Sequence, residues 1–298
     1  MRVALFGLDI APANGKKIRL LLEELIKYDA SFAYYEKVYP ILSGIAKQNG
    51  MELPKGVIFS SCEDFPEGTD LFLSLGGDGT LLNSLSIIRY RNIDVAGINF
   101  GRLGFLTAAK VGEGANEWIG QLLSKQYDII SRPTIKAAFD DMPADFFPYA
   151  LNEVSIQRRT PSMISVDLKI GNHTIPTYWA DGLLIATPTG STAYSLSVGG
   201  PIVTPTSGVL VIAPIAPHNL NVRPLIVPDT VEIEMVIHSR SSDVMLTMDN
   251  RELILPSESK VRLSKGDIRM NTVSLREESF FDALKEKLLW GEDRRNII

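Results

Sequence analysis

The chain of 298 residues is poor in several features that would each point to a class of function. Cysteine occurs once, at Cys62, so no disulfide can close within the chain and a cytoplasmic setting is the natural expectation. The same thiol is followed by Glu63 and Asp64, a poor setting for a reactive thiolate. Histidine occurs three times, at His173, His218 and His238, with no ligand spacing, so no histidine-built metal site is expected. Positive charge is not in excess either, with 30 Lys and Arg against 35 Asp and Glu for a net charge of −5. No basic cluster interleaved with aromatics relieves that deficit, which argues against a nucleic-acid partner. Long apolar runs are missing as well. The best, "GVLVIAPIAP", is broken by proline and falls short of the roughly 20 residues a membrane span needs, so no membrane crossing is expected. The start, "MRVALFGLDI", lacks the small-residue cleavage site of a signal peptide.

What is present reads as a globular protein. Apolar residues make up 45% and charged residues 22%, and the length suits two domains. Up to about residue 131 strand-like and helix-like patterns alternate. "RVALFG" (2–7), "GVIFS" (56–60), "DLFLSLG" (70–76) and "DVAGINF" (94–100) are apolar throughout, as buried parallel strands are. Between them the spacing predicts helices from Lys16 to Tyr28, with Ile18, Leu21, Leu22, Leu25 and Ile26 on one face, from about Ala33 to Gln48, over Leu81 to Arg89, and over Ala115 to Leu123. After Ser131-Arg132-Pro133 short alternating runs follow one another, from "TIKAAF" and "YALNEVSIQR" to "KVRLSKG", the rhythm of an antiparallel β-rich domain. The tail "REESFFDALKEKLLW" turns helical, with Phe280, Phe281, Leu284, Leu288 and Leu289 apolar, and is expected to pack back on the first domain. The expected division is an α/β domain over 1–131 plus 275–298 and a β-rich domain over 132–274.

Two stretches carry the chemistry. "GGDGT", residues 76–80, stands where a parallel strand ends and a helix begins, and ligands gather at the carboxyl ends of such strands. Gly76, Gly77 and Gly79 let backbone amides approach an anion, and Thr80 suits a helix N-cap. Asp78 is the odd member, since a carboxylate repels phosphate unless it addresses a proton, a hydroxyl group or a metal. Taken alone, the motif reads equally well as a plain strand-to-helix turn. The second stretch, "ADGLLIATPTGSTAYSLSVGGPIVTP" (180–205), opens as a strand with Asp181 at its head and then crowds Thr, Ser and Gly as no ordinary strand or helix does. Hydroxyls and exposed amides of that kind suit sugar hydroxyls and phosphates. Its "TGSTAYS" is not the G-x-S-x-G elbow of a serine nucleophile. Between the two stretches, Asn152 and Glu153 interrupt an alternating strand. Adjacent strand residues point to opposite faces, so only one of the pair faces a given site unless a bulge intervenes.

"GGDGT", then "NE" at 152–153, then "DGLLIATPTGSTAYSLSVGGP" from 181 together resemble the NAD kinases, which phosphorylate the adenosine ribose 2′-hydroxyl of NAD to give NADP. "NFGRLGFLT" (99–107) and "APIAPHNLNVRPLIVPD" (213–229) are similar to family segments too. The resemblance implies a Rossmann-like α/β domain joined to an all-β, sandwich-like domain. It implies ATP with Mg²⁺ or another divalent cation, NAD as substrate, and a homo-oligomer, a dimer or tetramer. By the same resemblance Asp78 takes the 2′-hydroxyl proton, with Gly76, Gly77, Gly79 and Thr80 around the phosphates and Phe105 near the adenine. Asn152 and Glu153 are then expected to bind the ribose and adenine region, Asp181 to stand near the nicotinamide end, and Thr189, Thr192, Ala193, Tyr194, Ser195, Leu196 and Ser197 to line the dinucleotide. The chain departs from the pattern at Trp179, where several relatives carry arginine or histidine, and at Asp249-Asn250-Arg251, where many read Asp-Ser-Gln or Asp-Gly-Gln. Two rivals stay open: a lipid kinase, which shares the glycine-aspartate motif but has no use for "TPTGSTAYS", and a nucleotide-sensing protein that binds without transfer.

Overall fold

The computed structural model describes residues 1–28, 30–101, 104–111, 115–275 and 280–288, and the chain divides into two compact units. The first comprises Met1–Ser131 with Met270–Ile298, the second Arg132–Arg269. No helix among the described residues is long and apolar enough to cross a membrane.

The first unit runs β1 (Arg2–Phe6), α1 (Gly15–Ile26), β2 (Ser31–Tyr35), α2 (Tyr39–Gln48), β3 (Gly56–Phe59), β4 (Leu71–Leu75), α3 (Asp78–Ile88), β5 (Asp94–Asn99), β6 (Thr107–Lys110) and α4 (Ala115–Leu123). Its strands pair in parallel in the order β5-β4-β1-β2-β3, with β6 on the far edge of β5. The chain thus winds outward from β1 in one direction and then restarts on its other side with β4. The strand order reverses between β1 and β4, and the crevice at their carboxyl ends is where such sheets bind ligands. "GGDGT" follows β4 and therefore opens onto it.

The second helix is shorter than its pattern suggests. Residues Ser31 to Tyr35 form a strand instead, because Phe32, Ala33, Tyr34 and Tyr35 are buried between β1 and β3. Pro40 sits in the first turn of α2, where its missing N–H costs nothing, and it would have broken a helix begun at Ala33. In α1 the inward face is Ile18, Leu21, Leu22 and Leu25, whereas Ile26 is exposed.

The second unit contains β7 (Asp128–Phe139), which enters it from the first, then β8 (Tyr149–Ala150), β9 (Glu153–Arg158), β10 (Ile164–Ile170), β11 (His173–Ala180), β12 (Gly182–Ala186), the helical turn α5 (Tyr194–Ser197), β13 (Val209–Ile215), β14 (Leu225–Pro228), β15 (Ile233–Ser239), β16 (Asp243–Met248), β17 (Arg251–Pro256) and β18 (Lys260–Ser274). One antiparallel sheet is ordered β14-β13-β12-β9-β16-β17, and β11-β10-β15-β18 form a second layer. Alternate residues of both layers, among them Val154, Ile156, Leu168, Met235, Leu246 and Val261, share one core. β12 does not alternate. All five of its residues are buried, because Leu184 and Ala186 meet a second cluster with Val203 and Val211 on the outer face. β18 then returns the chain to the first unit, where Asn271 and Thr272 pair with Asp94 and Val95 of β5.

The tail forms α6 (Phe280–Leu288), within the first unit. Of its apolar residues only Leu284 is buried and Phe281 is exposed. Leu289 lies outside the described residues.

On β15, His238 bridges two acids, with Nε2 2.9 Å from Asp167 on β10 and Nδ1 2.7 Å from Glu258. Hydrogen bonding to Asp167, then to Glu258, raises the His238 pKa, and the Thr177 and His238 hydrogen bonds lower that of Asp167. The raised histidine stabilises fully below its ordinary value of about 6.5 and ceases to as pH climbs through its folded value; the lowered Asp167 stops contributing in acid, below about 4. Melting temperatures of the wild type and His238→Gln should therefore differ most at about pH 5 to 6 and converge at alkaline pH. Equal differences across that range would remove the bridge as a source of stability.

Candidate active site

After the fully buried β4 the backbone turns at Gly76, where a side chain has no room: a Cβ would lie 2.3 Å from Thr80 Oγ1. Gly77 is the residue that caps α3, with extended backbone, and Asp78 is the first helical residue. Thr80 is thus not the cap but a first-turn residue, its N–H donating to the Gly77 carbonyl at 3.0 Å. Above the turn there is space. A Cβ at Gly79 would meet nothing within 4 Å, and one at Gly77 only Asn99 Nδ2 at 4.0 Å. An open glycine backbone leading into a helix N-terminus is the arrangement that receives anionic groups.

Asp78 is held by a loop that sequence reading did not connect to it. The Phe105 N–H donates to Asp78 Oδ2 at 2.8 Å and the Leu106 N–H to Oδ1 at 3.1 Å. Gly104 is what lets the loop come so close, since a Cβ there would fall 1.8 Å from Asp78 Oδ1. The Gly104 N–H is held by Thr107 Oγ1 at 2.7 Å. From α6, Lys287 donates to the Gly104 carbonyl and lies 4.5 Å over the Phe105 ring. From α1, Lys17 donates to the Phe100 carbonyl at the other end of the same connection. A carboxylate offers about four lone-pair sites, so two backbone donors leave Asp78 able to accept further hydrogen bonds.

In the second unit Asn152 and Glu153 are not two residues of one regular strand. The run "YALNEVSIQR" breaks into β8 and β9, with Leu151 and Asn152 in a bend between them. Three consecutive N–H groups, of Leu151, Asn152 and Glu153, donate to the Asp249 carboxylate at 2.8, 2.8 and 3.3 Å. The Asn152 carbonyl accepts from Thr187 N–H at 2.8 Å, and a Cβ at Gly190 would lie 2.1 Å from that oxygen. Asn152 Oδ1 and Glu153 Oε2 are buried and have no hydrogen-bond partner, as is the hydroxyl of Ser195. Burial, reinforced by the nearby Asp249 charge and opposed by the Tyr194 N–H, pushes the Glu153 carboxyl up to about 8. Buried, unpartnered polar atoms of this kind call for a ligand that brings matching hydrogen-bonding groups.

The stretch from Thr189 folds into a 3-10 turn, Thr189–Thr192, and then α5, rather than an irregular loop. Its hydroxyls divide into two kinds. Thr189 accepts from Arg132 at 3.3 Å, and Ser191 bonds Pro188 and Val203, so these two hold the fold. Tyr194 and Ser197 are exposed, and Thr192, Ala193 and Leu196 are partly so. Asp181 is not brought to this cluster. It precedes β12, whose far end pairs Ala186 with Glu153, so five strand steps, about 17 Å, separate them. The Arg158 guanidinium grips Asp181 at 2.8 and 3.0 Å. Trp179 is exposed on β11, and Arg251 donates to the Phe147 and Tyr149 carbonyls.

A doubly wound sheet with an acid-bearing glycine turn at its switch point, joined to a β unit with buried unpartnered polar atoms, suits the class of nucleotide-dependent phosphotransferases. The comparisons narrow this. Residues 51–127 match the ATP-NAD kinase N-terminal domain and residues 151–275 the ATP-NAD kinase C-terminal domain. The NAD kinase of Christiangramia forsetii is 42% identical over 241 residues, covering 80% of this chain and 82% of the relative. The crystal structure of yeast NADH kinase complexed with NADH superposes with a TM-score of 0.86 at 24% identity, covering 100% of this chain and 90% of that one. An Archaeoglobus fulgidus NAD kinase in complex with ATP gives 0.71 at 26% identity, covering 97% and 99%. The chain belongs to the ATP-NAD kinase family.

One glycine substitution tests the packing around Asp78 and a second, remote from it, serves as the control. Gly104→Ala should lower stability by about 1–3 kcal/mol through overpacking. Gly44→Ala, inside α2 with nothing within 4 Å of the added methyl, should raise it by up to about 1 kcal/mol. Thermal unfolding of both decides, and a neutral Gly104→Ala would mean the loop does not depend on the glycine.

Proposed function

We infer that this protein is an NAD kinase, transferring the γ-phosphoryl group of ATP to the adenosine ribose 2′-hydroxyl of NAD and releasing NADP and ADP. The observation that carries the reading is Asp78, placed at the head of α3 on an open glycine turn and fixed by two backbone donors. The family of the chain agrees with it. Phosphoryl transfer asks for alignment and charge neutralisation more than for covalent chemistry. Gly76, Gly77, Gly79 and Thr80 form the phosphate turn, and Mg²⁺ arrives on the ATP phosphates as part of the substrate. Asp78 accepts the 2′-hydroxyl proton as the bond to phosphorus forms.

In this reading Asn152 and Glu153 take the ribose and adenine region, for which the unpartnered Asn152 Oδ1 and Glu153 Oε2 are suited. Thr192, Ala193, Tyr194, Leu196 and Ser197 line the dinucleotide, with Thr189 and Ser195 beneath them. Asp181, gripped by Arg158 at the other end of β12, serves the nicotinamide end, and Phe105 the adenine. The single thiol, Cys62, is buried, which fits a cytoplasmic enzyme. A homodimer or homotetramer is the proposed assembly, on family resemblance.

The test is coupled formation of NADP from NAD, ATP and Mg²⁺. Asp78→Asn should lose at least about a hundredfold in kcat, the usual scale of general-base catalysis, with NAD affinity largely kept. Unchanged turnover in that variant would reject the role of Asp78. NAD binding by a wild type that makes no NADP would point instead to a sensor or to another phosphoryl donor, and polyphosphate is the donor to try next.

A further inference from the structure

Asp249 lies outside the residues named for the site, on the two-stranded hairpin of β16 and β17, yet it touches the site more closely than most of them. Its side chain is 2% exposed, and its two oxygens take the N–H groups of three successive residues, Leu151, Asn152 and Glu153. Its own N–H donates back to the Glu153 carbonyl at 3.0 Å. Asp249 has positive φ, 51°, as the tight turn into Asn250 requires. Arg251 secures the turn from the other side. It pairs with Asp249 at 3.7 Å, donates to the Phe147 and Tyr149 carbonyls and stacks 5.1 Å from the Phe147 ring, so it ties the hairpin to the start of the same segment.

We propose that Asp249 is a positioning residue for the dinucleotide: it holds the bend between β8 and β9 so that Asn152 and Glu153, adjacent in sequence, both serve the segment from Thr187 to Tyr194. Without the bend, alternation along a strand would send one of the two side chains to the opposite face. With it, the Asn152 backbone carbonyl meets the Thr187 N–H and Gly190, its side-chain Oδ1 is buried with no protein partner, and the Glu153 carboxyl accepts from the Tyr194 N–H. Arg251 anchors the turn from its far side.

The proposal rests on the NAD kinase reading, so the test measures NAD binding by titration calorimetry apart from turnover. Among the described residues, the charged groups that act on Glu153 are Asp249 and, behind it, Arg251. Asp249→Asn removes the charge and part of the acceptor set. It should weaken NAD binding at least about tenfold, the size of one lost charge-assisted hydrogen bond, and leave the KM for ATP unchanged. The inflection that Glu153 gives to the pH dependence of NAD binding should also move to lower pH, which a merely structural loss would not cause. Asp249→Glu keeps the charge but displaces the oxygens; it should weaken binding similarly with the inflection left in place. Hydrogen exchange on the unaltered protein is independent of any variant's folding: the amides of Leu151, Asn152 and Glu153 should be protected as strongly as those within β9. Wild-type NAD affinity and pH profile in Asp249→Asn, or fast exchange at those amides, would overturn the proposal. Failure of the wild type to bind NAD at all would instead reject the functional reading.

Discussion

A carboxylate that accepts neighbouring backbone N–H groups fixes the peptide planes that carry them, and two acids of the candidate site impose that constraint across long stretches of chain. Asp78 does so for the peptides entering Phe105 and Leu106, and Asp249 for those entering Leu151, Asn152 and Glu153. In each case the acid and the backbone it organises are far apart in sequence, so a local motif becomes a site only when the fold delivers its partner. In each case, too, the acid is rigid because the amides cannot rotate away as a side-chain donor could.

Close approach needs glycine, and the glycines divide by what crowds them. Gly76, Gly104, Gly190 and Gly200 sit where a methyl group would collide with Thr80, Asp78, the Asn152 carbonyl and Ser195 respectively. Gly77 and Gly79 have open space. The crowded ones let protein pack on protein, and the open ones leave room for something that is not protein. One run of glycines therefore serves two purposes, which composition alone does not separate.

The strands and helices of the first unit were legible because they carry long, regular patterns; β2 was not, since five residues flanked by helix-like texture became a strand through neighbours on both sides. The glycine turn and its aspartate were legible as local chemistry. Gly104 and Asp249 were not, because their importance lies in contacts 26 and 97 residues away along the chain and no spacing rule reaches that far. Asn152 and Glu153 were readable only as a paradox of alternation, and the broken strand resolves it. Thr189 and Ser191 show what composition leaves out: their hydroxyls are engaged within the protein, with Arg132 and with Pro188 and Val203.

β18 runs for fifteen residues, beginning in the β unit and ending on β5 of the α/β unit. The α/β unit is therefore made of two pieces of chain with the whole β unit spliced between them. On a ribosome, about the first 130 residues can collapse around their sheet, but the starting half of β5 waits for Asn271 and Thr272. Until then it is an open strand edge, the kind of surface that pairs with strangers. The order of synthesis thus makes the last strand a seal on the first unit, and chains truncated before residue 271 should be the ones that aggregate.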